Sequence, residues 1–127
     1  MRLLLDTHVF LWYITGDMRL PATFETAIRE PANDVYLSVA SIWEAVIKHG
    51  AGKLPLPAPP EEFLPRQRIA HQIQSLSLDE EALVHLARLP LLHRDPFDRA
   101  LLAQALQHDL TLVTVDSTIK GYLPKLV

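Results

Sequence analysis

Short apolar segments recur along the chain, and longer segments with helical patterns separate them. RLLLD at residues 2–6, DVYLS at 34–38 and LTLVTVD at 110–116 each predict a strand, and IQSLSL at 73–78 predicts a weaker one. The segments between them predict helices, at residues 7–15, 21–31, 39–50, 61–71, 79–90 and 96–108. Because strands separated by helices join through right-handed crossovers, this order predicts an α/β protein whose parallel sheet is covered on both faces.

Glycine and proline residues predict where several helices begin and end. Gly16 and Gly50 can each terminate a helix, and Pro21 suits the first turn of the second helix. Residues 53–65 are rich in proline, which predicts an extended connection that leads into the helix at 61–71.

Two aspartates stand at the carboxyl ends of strongly predicted strands. Asp6 ends the first strand and Asp116 ends the last one. In a parallel sheet these ends share one edge, and such folds bind their ligands there. Aspartate is also a favoured N-cap, and each of the two precedes a helical segment. The sequence therefore predicts that Asp6 and Asp116 share an edge, and it leaves a capping role open for both.

Glu44 lies within an apolar helical segment, ASIWEAVI, where a charge is costly unless it is paired. Lys48 is the only nearby cationic residue along the chain. Ser41 and Glu44 have the spacing of a capping box, but both fall inside the helical pattern rather than before it. A capping role therefore explains Glu44 less well than it explains the aspartates.

Asp95 and Asp98 flank the start of the helix predicted at 96–108. Pro96 favours the first helical position and requires an extended residue before it, so Asp95 is predicted to be the N-cap. Asp98 falls at the third helical position, and we expect it to point toward the sheet edge that holds Asp6 and Asp116.

Convergence of four carboxylates would create strong repulsion unless a cation joined them. The residues concerned are Asp6, Glu44, Asp98 and Asp116. An all-oxygen site suits Mg²⁺ or Mn²⁺. Such an ion activates a water molecule and binds a phosphate oxygen, which is the chemistry of many nucleases.

Composition limits how the chain could bind nucleic acid. The formal net charge of the 127 residues is -3, whereas proteins that bind nucleic acid through charge alone are usually basic. Contact with nucleic acid would therefore need a metal ion or a local basic patch. The chain has no cysteine, which excludes disulfides, thiolate zinc sites and a cysteine nucleophile, and suits a reducing cytoplasm. The apolar runs are too short for a membrane span or a signal peptide, and we expect neither.

Four motifs together resemble one family. They are similar to the PIN domain of the VapC-type toxins of bacterial toxin–antitoxin pairs. In chain order, the four motifs are LLLDTH, SVASIWEAVIKHGAGKLPLP, HRDPFDRALLAQAL and LTLVTVD. The resemblance covers almost the whole chain and implies a single PIN domain over residues 1–127. It implies a three-layer α/β/α fold with a central parallel sheet of four to five strands. It also implies a metal-dependent ribonuclease that uses Mg²⁺ or Mn²⁺.

The resemblance also assigns roles to residues of this chain. The four acids of the family fall on Asp6, Glu44, Asp98 and Asp116, whereas Asp95 has no firm place among them. The implied partners are an RNA substrate, a second copy of the chain and an inhibitory antitoxin protein. An antitoxin tail could place a basic side chain near the acids or displace the metal. Apolar residues that could line a groove for this tail, or else pack on the core, are Leu54, Leu56, Phe63 and Leu64.

Other side chains near the predicted site have two interpretations each. Three basic residues could meet RNA phosphates or could simply be solvated near a helix start: His93, Arg94 and Arg99. Thr114 could form a hydrogen bond near the metal, although threonine is ordinary in strands. The larger aromatic residues are expected in the core or in an interface rather than as stacking platforms: Trp12, Tyr13 and Trp43.

Two other functions remain as alternatives. An aspartate after the first strand also occurs in phosphatases of the haloacid dehalogenase type, but their second acid, two residues later, is replaced here by His8. The chain could also be a non-catalytic binding module whose acids only cap helices. Glu44 discriminates against that interpretation because a residue in the middle of a helix cannot be an N-cap.

Overall fold

The computed structural model describes residues 1–90 and 95–120, which form one parallel sheet and the helices around it. The strands are β1 (Arg2–Leu5), β2 (Asp34–Ser38), β3 (Gln74–Leu76) and β4 (Thr111–Val113). The helices are α1 (Thr7–Thr15), α2 (Ala22–Arg29), α3 (Val39–Gly50), α4 (Pro60–Ala70), α5 (Glu80–Arg88), α6 (Pro96–His108) and α7 (Ser117–Lys120). The strand order is β3-β2-β1-β4, and each pairing is parallel.

Alternate residues of β1 enter two separate cores, one on each face of the sheet. Leu3 and Leu5 pack in a cluster with Phe10 of α1 and side chains of α2 and α4. Leu4 packs on the opposite face with Leu101 and other residues of α6. Because both faces are covered, β1 is apolar at successive positions instead of alternating. The prediction of a three-layer α/β/α fold around a parallel sheet of four to five strands is confirmed, with four strands in the described residues.

The last strand is shorter than the sequence predicts, and the prediction that it ends at Asp116 is wrong. Within residues 1–90 and 95–120, β4 pairs only with β1, and the final partners are Leu5 and Val113. The chain of β1 turns into α1 directly after Leu5, so among the described residues no strand lies beside those that follow Val113. Asp6 N still donates a hydrogen bond to Val113 O over 3.0 Å. Asp116 therefore lies beyond the strand end, on the connection to α7.

The helix ends follow most of the predicted positions. Gly16 ends α1 in the left-handed conformation, with φ at 65°, and its N–H points to carbonyls of the last turn. Gly50 is the last residue of α3, but the left-handed residue after that helix is Gly52, with φ at 72°. Gly50 is thus not the terminating glycine. In the described residues no helix is long and apolar enough to cross a membrane.

Three of the four apolar residues predicted to line a groove contact the core instead: Leu54, Phe63 and Leu64. Leu64 is 1% exposed and belongs to the core cluster under α1 and α2. Leu54 and Phe63 are partly buried against the same cluster, and Leu56 is half-buried. The alternative of packing on the core is correct for Leu64, and the groove prediction is wrong for that residue.

Candidate active site

Asp6 follows β1 and is held from two sides. It is the N-cap of α1, where its Oδ1 accepts the Thr7 N–H over 2.7 Å. Its Oδ2 accepts the Thr114 hydroxyl over 2.8 Å. Asp6 is 6% exposed, and burial raises the pKa of its carboxyl, a shift that the Thr114 hydrogen bond, His8 and the Thr7 amide oppose. Asp6 therefore caps α1, and its carboxylate is at the same time buried and held in a fixed orientation at the sheet edge.

Thr114 connects Asp6 to Asp116. It is fully buried just after β4, and besides donating to Asp6 it accepts the Asp116 N–H over 3.0 Å. One hydroxyl therefore fixes the backbone at Asp116 relative to the Asp6 carboxylate. Thr114 thus forms a hydrogen bond to Asp6, and its position near a metal stays a prediction.

Glu44 lies in the middle of α3 and is 3% exposed. Its Oε2 forms an ion pair of 2.6 Å with Lys48 Nζ, one helical turn later. Its Oε1 is buried and has no hydrogen-bond partner within residues 1–90 and 95–120. Such a group is costly to bury, so a carboxylate with one orphaned oxygen indicates a site for a further ligand.

The expectation that the acids converge without a matching cation is wrong, because the Lys48 ammonium pairs with Glu44. The hydrogen bond with Glu44 raises the pKa of the Lys48 ammonium, and the charges of Asp95 and Asp98 raise it further against the effect of burial. The ammonium is therefore held in its charged form among several carboxylates.

The position of α3 depends on hydrogen bonds that the sequence analysis did not predict. Ser38 is the N-cap and accepts the Ala40 N–H over 3.0 Å, so Ser41 and Glu44 do not form a capping box. Ser41, which is buried, instead accepts a hydrogen bond of 2.9 Å from the Thr7 hydroxyl. This bond ties α3 to α1 one turn before Glu44. The sequence signal that could have identified Thr7 and Ser41 as a hydrogen-bonded pair is their polar character among apolar helical residues.

Asp95 and Asp98 have different local roles at the start of α6. Asp95 is the N-cap, and its Oδ1 accepts the N–H groups of Phe97 over 2.9 Å and Asp98 over 3.3 Å. The capping prediction for Asp95 is confirmed. Asp98 lies in the first turn and is half-buried.

All four predicted acids line one cleft of about 290 Å³ beyond the carboxyl ends of β1 and β4. The described lining residues are Asp6, His8, Trp12, Glu44, Lys48, Asp95, Asp98, Val115 and Asp116. A larger cleft of about 430 Å³ lies near the first residues of β2 and β3, at the other edge of the sheet. Ligands of parallel α/β folds bind beyond the carboxyl ends of strands, so the acidic cleft is the candidate site.

A divalent metal fits the donor set of this cleft, although the side chains are not arranged around one point. Within residues 1–90 and 95–120, no three acid or histidine side chains are grouped closely enough to hold one ion as they stand. The donors available are carboxylate oxygens, which hard divalent cations prefer. Glu44 Oε1 is buried and has no hydrogen-bond partner among the described residues, so a cation bound there would compensate its burial. The role of these acids as metal ligands stays a prediction.

The basic residues proposed to contact RNA are only partly described. His93 and Arg94 lie outside the described residues. The Arg99 guanidinium donates to backbone carbonyls at the end of α5, with Nη1 at 2.9 Å from Pro90 O and Nη2 at 3.2 Å from Leu86 O. Arg99 thus has a structural role as a cap of α5, and its contact with RNA stays a prediction.

The three aromatic residues divide between core and surface. Trp12 and Tyr13 are partly buried against the core cluster. Trp43 is 54% exposed and meets the Phe97 ring edge-on, with ring centroids 4.9 Å apart. Trp43 is therefore not a core residue, and an interface role for it stays a prediction.

The parallel sheet, its covering helices and the acidic cleft define an α/β protein with a candidate metal centre at the carboxyl edge of its strands. Residues 3–122 match the PIN domain family, so the chain belongs to that family. The resemblance to the PIN domain that the sequence motifs indicate is confirmed. This family match gives no support to the alternative of a haloacid-dehalogenase-type phosphatase.

Known proteins are similar to the chain over nearly its whole length. Ribonuclease VapC22 of Mycobacterium tuberculosis is 27% identical over 120 residues, which cover 94% of this chain and 90% of the relative. The structure of VapBC2 from Rickettsia felis bound to a promoter DNA fragment is similar with a TM-score of 0.70 and 16% identity, and the match covers 100% of this chain and 96% of that one. VapBC-1 from nontypeable Haemophilus influenzae matches with a TM-score of 0.67 and 17% identity, over 99% and 95% of the two chains. The two structures support the fold.

Proposed function

We propose that this protein is a metal-dependent endoribonuclease and the toxin of a type II toxin–antitoxin pair. The observation that carries the proposal is the buried Glu44 carboxylate, which has one orphaned oxygen and lies in the cleft with Asp6, Asp98 and Asp116. Membership in the PIN domain family and the similarity to a VapC ribonuclease support it. RNA is the proposed substrate, and the cytoplasm is the proposed compartment.

The mechanism assigns the ion to four carboxylates. The residues that would hold Mg²⁺ or Mn²⁺ are Asp6, Glu44, Asp98 and Asp116. The bound ion would act as a Lewis acid on the phosphate and lower the pKa of an attacking water. Thr114 and the Thr7 amide orient the two oxygens of Asp6, so the acid needs little rearrangement. Ser41 and Thr7 hold α3 against α1 and so position Glu44.

Metal dependence tests the proposal directly. Purified protein should cleave RNA with Mg²⁺ or Mn²⁺, stop in excess EDTA and recover when the ion is restored, because the proposed reaction needs a bound ion to lower the pKa of the attacking water. Asp116→Asn should abolish cleavage, whereas the matched control Glu61→Gln, at an exposed position of α4, should retain it. Undiminished cleavage in EDTA would overturn the proposed chemistry. Mapping the RNA ends by sequencing would identify the substrate.

A non-catalytic role is the second candidate, because Asp6 and Asp95 do cap helices. Capping does not account for Glu44, which is buried within α3. The cleavage experiment separates the two functions. A binding module would show no cleavage with either ion.

The proposed protein partner is an antitoxin. The structures of similar fold include a toxin–antitoxin complex from Klebsiella pneumoniae. The acidic cleft of this chain is suited to a basic side chain from such a partner. A small protein encoded directly upstream of this chain should co-purify with it and inhibit RNA cleavage. Failure of that protein to inhibit cleavage at stoichiometric concentration would contradict the assignment.

A further inference from the structure

We propose that Lys48 is a built-in counter-ion of the acidic cleft, which neutralises Glu44 in the metal-free protein and competes with the divalent ion for that carboxylate. The inference rests on the metal site of the proposed function and adds a residue that sets the strength of that site.

The two oxygens of the Glu44 carboxylate have different surroundings. Lys48 Nζ lies 2.6 Å from Oε2, whereas the buried Oε1 has no hydrogen-bond partner in the described part of the chain. An ammonium at this distance occupies the position that a cation would take on Oε2. Bidentate binding of a metal by Glu44 would therefore require the Lys48 ammonium to leave.

The structure provides Lys48 with a way to leave. Its side chain is 39% exposed, whereas that of Glu44 is 3% exposed. The ammonium can therefore move toward solvent on its flexible stem while the carboxylate stays in the cleft. Spacing of four residues along α3 places both side chains on one face of the helix, so the pair forms without strain in the metal-free state.

The two states of Lys48 have opposite effects. Without metal, the ammonium stabilises the fold by pairing with a buried charge, and its loss would leave that charge uncompensated. With metal, the same positive charge opposes the ion, and bidentate binding of the ion by Glu44 would break the hydrogen bond from Lys48. Lys48 therefore lowers metal affinity and raises metal-free stability. A residue that only positioned Glu44 for the metal would instead raise metal affinity.

Thermal unfolding of three variants distinguishes these roles. Lys48→Met removes the ammonium, Lys48→Arg keeps the charge, and Lys53→Met removes a charge from an exposed position outside the cleft. In EDTA, Lys48→Met should melt below the wild type. In a Mn²⁺ titration of the melting temperature, it should bind the ion about tenfold more tightly, which corresponds to the lower end of the strength of a charged hydrogen bond. Lys48→Arg and Lys53→Met should bind Mn²⁺ as the wild type does.

The outcomes separate this inference from the proposed function. A wild type that binds Mn²⁺, with Lys48→Met binding equally or more weakly, would overturn the role of Lys48 and leave the metal site intact. No Mn²⁺ response in the wild type and in Lys48→Met would overturn the metal site and this inference together.

A second measurement uses the wild type and does not depend on the folding of Lys48→Met. The chain has four lysines, so selective ¹³C labelling of lysine gives few NMR signals, and Lys48→Arg identifies the one from Lys48. Diamagnetic Mg²⁺ should shift the Lys48 signal saturably and leave the Lys53 signal in place. A Lys48 signal that stays unchanged, while Mg²⁺ raises the melting temperature, would overturn the proposal.

Discussion

Individual aspartates in this protein combine capping with placement in an acidic cleft, and the balance differs from one to the next. Asp95 accepts two N–H groups of the first turn of α6, which is the geometry of an N-cap. Asp6 also caps a helix, but its second oxygen accepts a hydrogen bond from Thr114 across the sheet edge. Capping therefore does not exclude a role in the site. Asp98 is the acid of α6 that we assign to the metal.

Substitution of Asp95 and Asp98 should have opposite effects. Asp95→Ala should lose about 1 kcal/mol of stability through loss of the cap and retain much of the metal-dependent cleavage. Asp98→Asn removes one charge from a repelling group, so its metal-free stability should hold or rise while metal affinity and cleavage collapse. Thermal melts with and without Mg²⁺, together with cleavage rates, measure both. Loss of cleavage in Asp95→Ala but not in Asp98→Asn would reverse the two assignments.

At the level of elements, α5 secures α6, which carries Asp98. Asp79, the N-cap of α5, accepts the Ala82 N–H over 3.0 Å and the Gln107 side-chain amide of α6 over 2.9 Å. At the other end of α5, Arg99 of α6 donates to the Pro90 carbonyl. Both ends of α5 are thus bonded to α6, which limits sliding of α6 along the sheet.

The charge of Asp79 makes this link depend on pH. Hydrogen bonds from Gln107 and then Ala82 hold its pKa below the ordinary value of 3.8. A lowered folded-state pKa contributes stability that is complete above 3.8 and is lost as the pH falls through the folded pKa. Asp79→Ala should therefore melt below the wild type at neutral pH, and the difference should shrink only below pH 3.8. A melting difference that narrows between pH 7 and pH 5 would contradict this assignment.

At the level of the whole molecule, α3 has an apolar face that the described residues leave exposed. Val39, Trp43 and Ile47 follow one another at four-residue spacing, and they are 44%, 54% and 48% exposed. The residues of α3 that are buried are Ala40, Ser41, Glu44 and Ala45. Exposed apolar patches of this kind mark interaction surfaces, and we assign this one to the proposed homodimer.

Disruption of the α3 face should separate the dimer. The wild type should run as a dimer at micromolar concentration, and Ile47→Asp should run as a monomer because it places a charge in an apolar interface. Leu83→Asp is the matched control, since Leu83 is 52% exposed on α5. Light scattering coupled to size-exclusion chromatography measures the mass. A wild type that is already monomeric at that concentration would disprove the dimer.

The sequence by itself determined the features that depend on short patterns. Alternation of apolar and helical segments predicts the parallel sheet, because few topologies bury such strands on both faces. The pair of Asp95 and Pro96 predicts an N-cap, since the geometry involves only consecutive residues. Convergence of Asp6 and Asp98 on one cleft follows from the direction of the strands and the helix that carry them.

Only the tertiary structure decided the features that depend on residues far apart in the chain. β4 ends at Val113 because β1, its partner in the described part of the chain, ends at Leu5, whereas the apolar pattern continues to Val115. The hydrogen bond between Thr114 and Asp6 joins residues separated by 108 positions, so no local pattern encodes it. Pairing and hydrogen bonding between distant segments are set by how the layers pack, and that packing fixes which of two plausible local roles each side chain takes.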